Sequence, residues 1–307
     1  MNKRVNSVVI ILLPAAAVLV VIASLAGKPP PRVAVAPAPP VVITPTRPEV
    51  KPLPPPRAEP GDKVKWVRHE ATQEFSDDRC GPVLTDIERH ISPVHNGYYR
   101  DADPLTWGHE TTHGINSDLR AKLARPGQNA FYCLEGKAIV LSNPKLTIRD
   151  VAAVVPPGLR GGRYNTYLAS QTGWNDTPTY ILDEWVAYTN GTAVGADQWK
   201  NGKVGRAGRS DDAVSPMEFT YYTLALCVAI KKHDPGYFKN NPEFSEFVAF
   251  NIRRSVGLFR ELIREENFAW DAGLVDTFTR NGEAAELKAV ADELWGKDFV
   301  DKYLRVK

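Results

Sequence analysis

A chain of 307 residues has room for one large domain or two small ones with tails, and its 43% hydrophobic and 24% charged residues are those of a globular protein. A net charge of +2 with no long basic run excludes a nucleic-acid binder of the electrostatic kind. Three cysteines without a CxxC pair exclude a disulfide scaffold and a thiolate metal site; Cys227 lies in an apolar run, and Cys80 and Cys133 remain as a pair that an oxidising compartment would allow to join.

Three materials follow one another along the chain. Residues 1–27 open with Lys3 and Arg4 and continue from Val8 to Gly27 without a charge. That is about 20 residues, enough to span roughly 30 Å of hydrocarbon as a helix. The expectation is a single-pass membrane anchor with its N-terminus in the cytoplasm and the rest of the chain extracytoplasmic. The rival is a cleaved signal peptide ending near Ser24-Leu25-Ala26, which leaves the domain secreted. Residues 28–62 hold 13 of the 25 prolines. Backbone so poor in N–H donors favours an extended polyproline linker.

Residues 63–307 have the composition of a folded domain. Helical spacing is expected over Val83–Ile91. Asp103-Pro104 reads as an N-cap followed by proline at the first helical position, opening a helix to about Ala124. Lys137–Leu141, preceded by Phe131-Tyr132, is strand or hairpin material. A short helix is expected after Thr147 and another over Thr179–Tyr188, with turn chemistry at Asn175-Asp176 between them. Gly191 to Arg209, rich in glycine, lysine and arginine, reads as a surface loop, in its sharper form a mobile flap over a cleft. Helices are expected at roughly Ser215–Lys232, Pro242–Glu266 and Gly282–Leu304. The fold class is α+β, mainly helical with a small sheet.

The helix after Pro104 carries His109, Glu110 and His113 as HExxH. At 3.6 residues per turn the two imidazoles stand about 40° apart on one face, placed to converge on a single Zn²⁺. Glu110 points off that line, where its carboxylate can take a proton from water polarised by the metal. A third ligand is needed. No third histidine follows His113 at metzincin spacing, and the next candidate is Glu184 in Ile181-Leu182-Asp183-Glu184-Trp185-Val186-Ala187-Tyr188. A carboxylate buried there needs a positive partner. Asp183 is the rival ligand, since a one-residue change of helix phase exchanges the two. Tyr164, Tyr167, Tyr180, Tyr188 and His233 are candidates to stabilise an oxyanion, and Tyr188 shares a face with Glu184. His69, His90 and His95 have no partner at ligand spacing.

HExxH followed by ExxA on a second helix resembles the gluzincin branch of the zincin metallopeptidases, in the variant of the anthrax lethal factor catalytic domain. The resemblance rests on two short motifs about 70 residues apart. It implies a zincin-like domain with zinc held by His109, His113 and Glu184, Glu110 as general base, and a peptide or protein as substrate. Thermolysin-like members carry an aspartate four residues after the third ligand to orient a zinc histidine. Tyr188 stands there instead, so that duty must fall to another residue. Two other readings keep the metal: an amidase or endopeptidase acting on cell-wall peptide, and a non-catalytic binding domain with structural zinc.

Overall fold

Local sequence sets the helices that frame the site. The computed structural model describes residues 63–95, 97–203, 213–265, 268, 273–280 and 282–305. After a two-residue strand β1 (Val67–Arg68), helix α1 spans Pro82–His90. Helix α2 spans Pro104–Leu123; Asp103 caps it, its carboxylate accepting from the Leu105 and Thr106 N–H groups, and Pro104 takes the first turn, where no N–H is needed. Strands β2 (Gln128–Tyr132) and β3 (Lys137–Ser142) form an antiparallel hairpin with Gln128 opposite Ser142 and Tyr132 opposite Ala138. Strand β1 pairs on the far side of β3, so the sheet order is β1-β3-β2. Helix α3 (Ile148–Val154) opens with a capping box between Thr147 and Asp150.

Helices α4 (Tyr180–Lys200) and α5 (Ser215–His233) form the centre. α5 is buried on every side from Ser215 to Ile230, as expected of a helix apolar all round, and packs against α3, α4, α7 (Pro242–Leu262) and α9 (Ala285–Trp295). The short α6 (Tyr237–Asn240), α8 (Gly273–Arg280) and α10 (Lys297–Phe299) complete the described α-helices. The architecture is mainly helical with one small sheet, the expected α+β class. One apolar cluster centres on α5; a second joins α1, α2 and the sheet. α4 supplies Trp185 and Val186 to the first and Val194 to the second, so α4 is the seam between them.

Several expectations are corrected. The stretch read as a glycine-rich loop from Gly191 is the second half of α4. Its glycines are there for contact: a Cβ on Gly191 would lie 2.9 Å from the Leu105 carbonyl oxygen and 3.2 Å from His109 Cβ, and one on Gly195 would lie 2.9 Å from the Leu105 side chain. Lys200 pairs with Glu261 at 2.7 Å, and Lys203 donates to the Asp78 and Cys80 carbonyls, so neither covers a cleft; residues 204–209 lie outside the described residues. The helix expected from Gly282 to Leu304 is broken at Gly296, whose φ of +84° no continuing helix adopts. Cys80, Cys133 and Cys227 are all buried free thiols.

The membrane placement is also corrected. Among the described residues no helix is long and apolar enough to cross a membrane. Even α5 carries Glu218 and several hydroxyl residues, and its apolar faces are satisfied within the protein. The Val8–Gly27 segment behind that expectation and the proline-rich 28–62 lie outside the described residues.

Candidate metal centre

Helices α2 and α4 form the most extensive helix pairing in the fold, and the site lies between them. His109 and His113 project from α2 with their Nε2 atoms 3.1 Å apart. Glu184 comes from α4, its Oε2 3.8 Å from His109 Nε2 and 3.5 Å from His113 Nε2. A point equidistant from the three atoms lies about 2.0 Å from each, the length of N and O bonds to a small divalent cation. Glu184 is buried, and its Oε2 has no hydrogen-bond partner. A buried carboxylate oxygen with no hydrogen bond, facing two imidazole nitrogens, calls for a positive partner, which a metal cation among them or a protonated His113 supplies. The group His109–His113–Glu184 can hold a metal ion.

Two of the three grouped residues, His113 and Glu184, are held from behind. His113 Nδ1–H donates to Asp183 Oδ1 at 2.7 Å, which turns its Nε2 towards the centre. Asp183 also accepts from Asn116 Nδ2 at 2.9 Å and from Arg120 Nη1 at 3.2 Å. Asp183, the rival ligand of the sequence, thus bonds the far side of His113 and is not one of the three grouped residues. On Glu184, Tyr180 O–H donates to Oε1 and leaves Oε2 for the centre. Asn116 and Asn190 hold the Tyr132 peptide from both sides, Asn116 Oδ1 accepting its N–H at 2.7 Å and Asn190 Nδ2 donating to its C=O at 3.0 Å.

The electrostatics follow from burial and neighbouring charge. Burial drives the His109 imidazole well below its ordinary pKa, with further lowering from His113 and Arg163. Burial also works against a charged His113, but the Glu184 and Asp183 carboxylates outweigh it and hold its pKa well above the ordinary value. Burial alone would raise Asp183; His113, Asn116 and Arg120 together hold it below the usual carboxylate range. Glu110 is raised by burial, with His113 opposing and Glu184 reinforcing the shift.

A cleft of about 410 Å³ opens beside the centre, lined by residues that include His109, Glu110, Tyr167, Tyr188 and Gly191. The Tyr188 ring packs edge-on against His109, centroids 4.3 Å apart, and its hydroxyl lies 3.1 Å from that of Tyr167. The Arg163 guanidinium lies over the Tyr188 ring, 4.8 Å from its centroid, and is itself held by the buried Glu218. The remaining oxyanion candidates are engaged elsewhere. Tyr164 O–H donates to the Ala152 carbonyl, Tyr180 to Glu184, and His233 is exposed at the end of α5. His69 and His90 are buried in a network with Asp86 and Tyr132, and His95 pairs with Asp118.

Sequence reading missed the hydrogen bonds that Asn116 and Arg120 make to Asp183 and Tyr180 makes to Glu184. The signal was present: His109, His113, Asn116 and Arg120 fall at successive steps of four, three and four, one polar stripe along α2. No family model matches the chain, no curated protein matches it, and no solved structure matches its fold.

Proposed function

We propose that this protein is a zinc-dependent metallopeptidase of the gluzincin kind, with His109, His113 and Glu184 as zinc ligands and Glu110 as general base. One observation carries the reading. Three ligand atoms from two helices make a triangle with sides of 3.1, 3.5 and 3.8 Å, one corner of it a carboxylate oxygen without any other partner. Two nitrogens and one oxygen at that spacing suit zinc, whose bonds to them are about 2.0–2.2 Å, with a fourth position left for solvent. Bound zinc supplies Lewis acidity, bringing the pKa of a water it holds to about 7.

The chain's own residues do the rest. Asp183 fixes the proton on His113 Nδ1, so the opposite nitrogen is always the ligand. Glu110, on the cleft wall, accepts a proton from the attacking water and passes it to the leaving amine. Its raised pKa makes it the stronger base. Tyr167 and Tyr188 share one hydrogen bond between two hydroxyls, which leaves the pair a second O–H to donate to the oxyanion of a peptide carbonyl. The open cleft beside Glu110 favours catalysis over a purely structural metal, which would be closed by a fourth protein ligand.

The test joins metal analysis to a peptide-library digest. Wild type should hold about one zinc per chain; Glu110→Gln should hold as much while hydrolysis falls by at least about 100-fold. A Glu110→Gln protein as active as wild type would remove the base assignment, and a metal-free wild type would remove the whole reading.

A further inference from the structure

Outside the cleft, one aromatic side chain touches the outer partners of both acidic residues. Trp174 is 39% exposed on the turn between the π-type turn Asn165–Ala169 and α4. That turn is fixed to its surroundings: Thr177 N–H donates to the Trp174 carbonyl at 2.9 Å, and Ile148 N–H, at the start of α3, donates to the Asn175 carbonyl at 2.8 Å. The Trp174 ring lies parallel to that of Tyr180, 2° between planes and 5.1 Å between centroids. The Arg120 guanidinium carbon lies 5.7 Å from the same ring's centroid. Tyr180 is the residue that holds Glu184 Oε1, and Arg120 is the cation that holds Asp183 Oδ2.

We infer that Trp174 is a positioning residue for the metal centre, a flat clamp that fixes Tyr180 and Arg120 together and through them Glu184 and His113. This rests on the metal reading given above. The two residues it touches come from different helices, α4 and α2, and each has rotamers that lead away from its carboxylate. Arginine in particular gives up several side-chain torsions to reach Asp183. A ring stacked on both narrows those alternatives, through aromatic stacking on one partner and cation–π attraction on the other. When the clamp is lost, Glu184 Oε2 and the His113 ring wander more widely, and the three ligand atoms spend less time at the spacing a cation needs.

The experiment measures zinc affinity of the full chain against a chromophoric chelator, beside thermal unfolding of the metal-free protein. Trp174→Leu stays apolar but removes the flat π face along with some bulk; Trp174→Phe keeps a smaller face. Trp174→Leu should bind zinc about threefold to tenfold more weakly, below the 10- to 100-fold typical of a direct ligand partner, while Trp174→Phe returns most of the affinity. The metal-free unfolding temperatures of the two variants should coincide, which a purely structural tryptophan would not give. In a Tyr180→Phe background the Trp174→Leu effect should shrink, because one route from the clamp to the metal is already cut. A wild type that binds zinc beside a Trp174→Leu protein that binds it equally well overturns the clamp. Loss of affinity that Trp174→Phe fails to restore overturns it as well. A wild type that takes up no zinc overturns the metal reading underneath it.

Discussion

Replacing Asp183 by asparagine keeps the shape of the side chain and removes its charge. In the native site the carboxylate accepts three hydrogen bonds, from His113 Nδ1, Asn116 Nδ2 and Arg120 Nη1, at 2.7, 2.9 and 3.2 Å. An asparagine offers one acceptor oxygen and one NH₂ to those three donors. Whichever way the amide turns, a donor faces a donor, and Arg120 loses its buried counter-charge. The His113 ring is then free to rotate or to change tautomer. Loss of such an orienting partner weakens metal binding by about 10- to 100-fold, or roughly 1.4–2.7 kcal/mol. Glu184→Ala, which deletes a ligand atom outright, should weaken binding more. Chelator competition on the purified proteins measures both. If Asp183→Asn binds zinc as tightly as wild type, the orienting role fails; if Asp183→Ala weakens binding more than Glu184→Ala, the ligand itself must be reassigned.

Two further outcomes test the helix packing around the site. Gly191→Ala places a methyl group 2.9 Å from the Leu105 carbonyl and 3.2 Å from His109 Cβ. Overpacking costs about 1–3 kcal/mol and outweighs the roughly 1 kcal/mol that alanine gains in a helix, so the urea midpoint and zinc retention should fall together; both unchanged would mean the helices can part freely. Asp197 on α4 is buried and accepts the Val83 N–H at the start of α1, and burial raises its pKa above the ordinary 3.8. A carboxyl that binds its proton more tightly when folded stabilises most below its ordinary pKa, and this contribution is lost as pH rises through the raised value. Wild type should therefore gain on Asp197→Asn as pH is lowered from about 7 to about 4, read as the difference in unfolding temperature. A difference moving the other way contradicts the sign.

The start of α2 was legible because it is local chemistry: Asp103 and Pro104 act on their own neighbours. The pair His109–His113 was legible because a single helix sets its geometry. Where the sequence reading failed, a distant contact decided the outcome. Gly191 and Gly195 have the composition of a loop, yet they stay helical because α2 presses against them and no larger residue fits. The phase that separates Asp183 from Glu184 depends on how α4 is turned against α2, which spacing along one strand of text does not contain. Gly296 was visible as a residue but not as a break, since glycine within a helical pattern is tolerated unless its φ turns positive.

The close approach at Gly191 has a consequence for the proposed metal centre. Backbone there meets the Leu105 carbonyl and the base of His109 with no side chain between them, so the separation of α2 from α4 is set at this point by main chain. In the metal centre proposed above, that close spacing would suit short bonds. Calcium, which seeks six to eight oxygens at about 2.3–2.6 Å, would have to pry the two helices apart to fit.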